Sequence, residues 1–303
     1  MYDALGSPTA YPADVSRKIN PGGGKTFFVS GLGARPGSNS NEGTDPQFPL
    51  LTIQAGVNKC GQRNHDYVFV QDSYQEDVTT ITINKRNVHL IGLGDGNPLS
   101  GRAVVDMQGT GACFTMTGSG GSLELAGFKM GSVGESCIVC TEVTHLNHIH
   151  HNSFGHFMPS VDGIQNSGFE MDSWLIDHNI FTEMLTGAAI RQAGGGPSWS
   201  QFNHNFFKVG PAAAGIVLAS GVLESIIGNI FASRIADALA EGWAINMGVA
   251  TEAAVMGNKA SAAGNDAGNN PYKDGSSDNV ATLKNAWADN FDGPALSGGP
   301  ATA

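Results

Sequence analysis

A short phrase recurs five times in this chain, and the recurrence limits the fold more than any other feature. It reads HIHHNSF at 148–154, LIDHNIF at 175–181, QFNHNFF at 201–207, SIIGNIF at 225–231 and AVMGNKA at 254–260. Aligned on the shared asparagine, the phrases place Asn152, Asn179, Asn205, Asn229 and Asn258 at steps of 27, 26, 24 and 29 residues. A second register agrees: Ile138, Ile164, Ile190, Ile216 and Ile245 step by 26, 26, 26 and 29. A fixed period in this range marks an architecture of stacked units.

Each unit carries short apolar runs of strand length, broken by Gly, Asn and Ser. A coil of about 25 residues that returns to its start sets each strand beside its equivalent, about 4.8 Å away and parallel to it. Like residues then stack on like. The expected phenylalanine column, two residues after each anchor, is Phe128, Phe154, Phe181, Phe207 and Phe231. The expected aliphatic column, three residues before it, is Leu123, Ile149, Ile176, Phe202, Ile226 and Val255. One coil cannot bury its apolar face alone, so its neighbours supply the core. Stacked asparagines form an amide ladder that satisfies polar groups otherwise costly to bury. The predicted fold is all-β: a parallel β-helix, right-handed because parallel crossovers overwhelmingly are.

The coil pattern resembles the right-handed parallel β-helix of the pectin-lyase-like superfamily. A second match lies upstream, in KTFFVSGLGARPGSNSNEGTDPQFPLLTIQAGVNKC at 25–60. It is similar to the entry segment of many such proteins: a strand (Thr26 to Val29), a Gly/Asn/Asp loop, then a short helix, opened by PLLTIQA from Pro49, that covers the first coil. DYVFVQDSYQE from Asp66 and VHLIGLG from Val88 fit the same pattern. The resemblance covers roughly residues 25–260. It implies a fold and not an activity, because the superfamily holds lyases, hydrolases, esterases and non-catalytic viral parts. The expected organisation is an extended arm over 1–24, an entry strand, loop and capping helix over 25–62, coils over 63–260, and a C-terminal loop, cap and flexible tail over 261–303. Covering both ends protects strand edges that would otherwise template aggregation.

Composition narrows the partners. The formal net charge is −11, which argues against a nucleic-acid groove with its basic footprint. No apolar run reaches the 18 residues of a membrane span. The first residues lack the basic and apolar regions of a secretory signal. Cys60, Cys113, Cys137 and Cys140 lack metal-ligand spacing and are expected to remain thiols, as in a reducing compartment. Cys113 and Cys137 lie about one coil apart and are expected to stack. Cys137 and Cys140, three apart on one strand, are expected to face opposite ways.

Histidine forms the most conspicuous cluster. His151, His178 and His204 occupy one slot in three successive coils, beside a column of His150, Asp177 and Asn203. Equivalent residues one coil apart come within reach of a shared metal. The next two coils put Gly228 and Gly257 in that slot, however. A position that takes His or Gly reads as a turn residue with positive φ. The slot is therefore read as structural, with His150, His151, Asp177, His178, Asn203 and His204 as a polar binding stripe and with no metal.

Fold resemblance alone raises two catalytic alternatives. Glycoside hydrolysis needs two carboxylates across the scissile bond, and Asp177 with Glu183 flanks one turn. A uronate lyase needs a charge-neutralising cation and a base. Asp162, Asp172 and Asp177 offer oxygen ligands for Ca²⁺, and Arg191 and Lys208 are candidate bases. Polygalacturonase-like signatures (Asn-Thr-Asp, Asp-Asp, Gly-His-Gly) are absent. Trp174 and Trp199, near one strand start, read equally as an external platform and as the edge of the core.

The expectation is a non-catalytic structural protein of a phage particle, a head decoration or spike protein. It would be made in the host cytoplasm without a cofactor, assemble as a homotrimer and dock on capsid or other virion proteins. The first alternative is an extracellular polysaccharide lyase or glycoside hydrolase. The second is an adhesin module that binds a surface glycan.

Overall fold

The structure is a computed structural model. It describes residues 23–31, 37–71, 75–76, 80–93, 103–107, 111–118, 120–155, 160–166, 171–182, 186–193, 199–208, 214–219, 223–232, 244–248, 252–260, 272–274, 285–292 and 301–302. The expected arm at 1–24 falls almost wholly outside them, and Glu183 lies outside them too.

The chain winds into an all-β parallel solenoid. Three long sheets run along it, and every strand pairing among the described residues is parallel. A ten-stranded sheet extends from Thr26–Val29 to Ala286–Ala288 and contains Glu124–Ala126, His148–His150, Leu175–Asp177 and Gln201–Asn203. A nine-stranded isoleucine sheet contains Ile138–Cys140, Ile164–Asn166 and Ala188–Gln192. A nine-stranded phenylalanine sheet contains Phe128–Ser132, Ser153–Phe154, Ile180–Phe181, Phe206–Phe207 and Ile230–Phe231. Thr144–His145 and Met171–Asp172 form a small two-stranded pair of their own.

Register shows how the repeat becomes a core. Ile138, Ile164, Ile190, Ile216 and Ile245 pair in sequence and are fully buried. Phe154, Phe181, Phe207 and Phe231 stack with ring centroids 4.6, 4.9 and 4.5 Å apart and planes within 7° of parallel. Small residues make room for them: a Cβ on Gly163 or Gly215 would lie within 2.7 Å of the Phe181 or Phe231 ring respectively.

Two expected columns begin two residues late in the sequence. Phe154 pairs with Met130 and not with Phe128, and Ile149 pairs with Leu125 and not with Leu123. The coil before Asn152 is 24 residues long, so counting back 26 overshoots. Phe128 instead stands opposite Asn152, packing edge-on against Phe114 at 5.6 Å. The expected opposition of Cys137 and Cys140 also fails. Both are buried, because the strand begins at Ile138 and Cys137 belongs to the bend before it.

Two columns of left-handed backbone turn the corners. One runs through Gly127, His151, His178, His204, Gly228, Gly257 and Asp289, with φ between +53° and +81°. The other lies five residues earlier in each coil, at Ser122, Leu146, Ser173, Trp199, Leu223 and Glu252, with φ between +50° and +63°. Together they bracket the short strands of the ten-stranded sheet. Inside the first corner sits the asparagine ladder. The backbone N–H and the Nδ2 of Asn179 both donate to Oδ1 of Asn205, at 3.0 and 3.1 Å, and Nδ2 also donates to the Ile149 carbonyl at 2.8 Å. The same pattern links Asn152 to Asn179, Asn205 to Asn229, and Asn229 to Asn258.

At the N-terminal end, Ile53–Lys59 forms helix α1, capped by Thr52, whose hydroxyl accepts from the Ala55 N–H at 3.2 Å. Its buried face (Ile53, Gly56, Val57) lies on the first strands, with Gly56 against Val68. At the other end the coils continue past residue 260. Tyr272–Asp274, Ala286–Ala288, Phe291–Asp292 and Ala301–Thr302 add strands to the three sheets. Asn258 hands the ladder on to Asn290. Trp287 takes the next place in the aliphatic column, against Tyr272.

Candidate functional site

Along a strand, side chains alternate between faces. Ile149 points into the core, so His148 and His150 point outward from the ten-stranded sheet. Register then sets their neighbours. His148 lies opposite Glu124 on one side and Leu175 on the other, and His150 lies between Ala126 and Asp177. Glu124 in turn lies opposite His89, and His89 opposite Tyr67.

These side chains form one connected band. Nδ1 of His89 donates to Oε2 of Glu124 at 2.6 Å, and Nε2 of His150 donates to Oε1 of the same carboxylate at 3.1 Å. Asp177 accepts from Nε2 of His148 and from Nδ1 of His178, both at 2.7 Å. The His148 and His150 rings stack at 3.9 Å, and Nδ1 of His150 meets Nδ1 of His151 at 2.8 Å. Tyr67 stacks on His89 at 4.2 Å, and His65 reaches Nε2 of His89 at 3.4 Å. Hydrogen bonds from His150 and His89 hold the Glu124 carboxyl well below the usual range, against the opposing effect of burial. Burial would raise the Asp177 carboxyl, but hydrogen bonds from His148 and His178 and their charge outweigh it, giving about 2. Both groups are therefore carboxylates at neutral pH. Among the described residues, Glu124, His148 and His150 form a group of possible metal ligands, each offering an atom within 4.8 Å of the others.

The predicted stripe belongs to this band only in part. His150 and Asp177 lie within it, and His151 and His178 join its edge through their bonds to His150 and Asp177. His151, His178 and His204 are corner residues whose rings stack in file, at 5.2 and 5.5 Å, and do not converge on one point. Asn203 lies one coil beyond, its Oδ1 accepting from the Ile227 N–H at 3.2 Å. The weaker catalytic candidates are dispersed. Asp177 is on the ten-stranded sheet. Arg191 is on the isoleucine sheet, where its Nε donates to both carboxylate oxygens of buried Asp162 at 3.1 Å. Lys208 is exposed just after a strand of the phenylalanine sheet. Asp172 pairs with His145 at 3.0 Å. Asp162, Asp172 and Asp177 thus have separate partners on separate elements and make no common oxygen cage.

The tryptophans separate too. Trp174 is fully buried and donates to the Thr144 carbonyl at 2.9 Å, whereas Trp199 stands out at a corner. Glu124, His148, His89 and Tyr67 were missed in the sequence. The His-Ile-His alternation at 148–150 carried a readable signal, since an outward-facing pair brackets a core isoleucine. Glu124 required the 24-residue step to be known.

Comparison with known proteins adds no relative: no family model, curated protein or solved structure matches the chain.

Proposed function

We propose that this protein is a non-catalytic structural part of a phage particle, a decoration or spike protein of pectin-lyase-like β-helix type. In this reading it assembles with copies of itself, as a trimer, and docks on other virion proteins. The observation that carries the proposal is a set of three large apolar side chains held outward along one corner of a rigid solenoid, with Ser173 between the first and the second. Leu146, Trp199 and Leu223 are 62, 62 and 44% exposed, and all three occupy left-handed backbone positions that disfavour them. Phe206 and Ile230, paired on the outer face of the phenylalanine sheet, add a second exposed row. Scattered surface hydrophobics need no explanation, but aligned ones mark contact surfaces. A second copy is the favoured occupant, because Trp199 and Leu223, in adjacent coils of that corner, can meet their equivalents under rotational symmetry.

Light scattering coupled to size exclusion tests this reading. A trimer is expected, and Trp199→Ser combined with Leu223→Ser should yield monomer with unchanged circular dichroism. A wild-type monomer under all conditions sinks the proposal. The dispersal of Asp177, Arg191 and Lys208 disfavours the lyase alternative, and an assay on uronate polymers with and without Ca²⁺ addresses both it and the hydrolase alternative directly. The exposed Trp199 ring also supports a glycan-binding reading, since such rings stack on sugars; a glycan array tests it.

A further inference from the structure

We propose that Glu124, His148 and His150 bind a divalent transition-metal ion of the zinc class on the outer face of the ten-stranded sheet. The three come from two paired strands. His148 lies in register with Glu124, and His150 is two residues on, facing the same way. A rigid parallel ladder therefore sets their spacing, not a loop. Their donor atoms lie within 4.8 Å of one another. Tetrahedral zinc, with bonds of about 2.0–2.2 Å, needs donors roughly 3.4 Å apart, so on binding the His148 and His150 rings turn out of their 3.9 Å stack until both lone pairs meet the ion. Two imidazoles and one carboxylate suit zinc, cobalt or nickel, whereas calcium and magnesium seek oxygen ligands throughout.

Each ligand already has an outer partner. His89 holds the second oxygen of Glu124, Asp177 holds Nε2 of His148, and His151 touches Nδ1 of His150. Such partners orient metal ligands and raise their basicity. With Nε2 of His148 donating to Asp177, the other ring nitrogen is left as the donor to the ion. At His150 the ion takes the place of the proton now shared between Nε2 and Glu124. The displaced Nε2 proton leaves to solvent, and a proton on Nδ1 keeps the metal-bound His150 neutral and donates to Nδ1 of His151. The three side chains are only partly buried, which leaves water to complete the coordination. The net charge of −11 favours the approach of a cation.

The test is calorimetric titration of untagged protein with Zn²⁺, with X-ray absorption at the zinc edge on the loaded wild type. One equivalent with two imidazoles in the coordination shell is expected. Asp177→Ala should weaken binding about 10–100-fold, and Glu124→Gln and His150→Asn at least as much. His204→Gln, in the neighbouring column, should leave affinity unchanged. All four positions face outward, so circular dichroism should remain native. The proposal falls if wild type binds no zinc, if the coordination shell lacks imidazole, or if Glu124→Gln and His150→Asn bind as wild type does. The absorption measurement needs no variant and decides the matter even if the substitutions disturb folding.

Discussion

His178 and Gly228 perform the same backbone task two coils apart, at φ +54° and +66°. A histidine held there costs about 1–2 kcal/mol, while glycine gives up about 0.5–1 kcal/mol of chain entropy on folding. The two effects nearly offset, so His178→Gly should change stability by less than about 1 kcal/mol in urea unfolding. The second left-handed column shows no such preference: Leu146, Trp199, Leu223 and Glu252 have side chains that ordinarily avoid the region. Nothing in those residue types announced a corner, which is why the column could not be read in advance. The thiols give a second prediction at this scale. All four are buried, and burial, helped by Asp66, pushes the Cys60 thiol up to about 12. Ellman's reagent at pH 8 should modify none of them in the native protein and all four in guanidinium, because burial keeps the reagent from every sulfur.

The elements owe their stability to contacts between coils. Phe181 lies between Phe154 and Phe207 and is fully buried. Phe181→Ala should cost about 3–5 kcal/mol, measured by chemical denaturation. Asn205 accepts two bonds from Asn179 through one oxygen. Asn205→Ala leaves the buried Asn179 backbone N–H unpaired, at about 1–3 kcal/mol, while Nδ2 keeps its bonds to the Ile149 and Asp177 carbonyls; a loss of at least about 1 kcal/mol is expected. Asn203, on the outer face of the same coil, provides the contrast: Asn203→Ala should cost under about 1 kcal/mol. Equal losses at 203 and 205 would contradict the ladder. The phrase HNxF, read down the sequence, disclosed both columns, since identical residues at one period must meet when coils stack. It placed Phe128 and Leu123 two residues off because the coils vary in length, and only strand pairing resolves where the extra residues lie.

At the scale of the molecule, a solenoid must end its sheets. Helix α1 covers the first coil with Ile53 and Val57, and Trp287 with Tyr272 packs at the last coils described. Val57→Asp, which places a charge in that cap, should expose strand edges that recruit other chains. Turbidity and thioflavin fluorescence on warming should rise sooner than in wild type, and unaltered aggregation would show that α1 protects nothing.

Repetition alone carried the architecture. A period near 26 residues with apolar runs of strand length leaves stacked parallel coils as the arrangement in which every unit can bury its apolar face against an equivalent. The entry strand and capping helix were read from the resemblance of residues 25–60 to a known entry segment; the threonine cap emerged only in the structure. The histidine–carboxylate face was not legible in the sequence. Its members come from coils 24 to 35 residues apart, and which carboxylate faces which imidazole depends on the register of each pair of strands. A slip of one residue would turn Glu124 inward and leave His148 and His150 without a partner across the ladder. The periodic core could be read from a single chain because like meets like. The site joins unlike residues, and only the folded register brings them together.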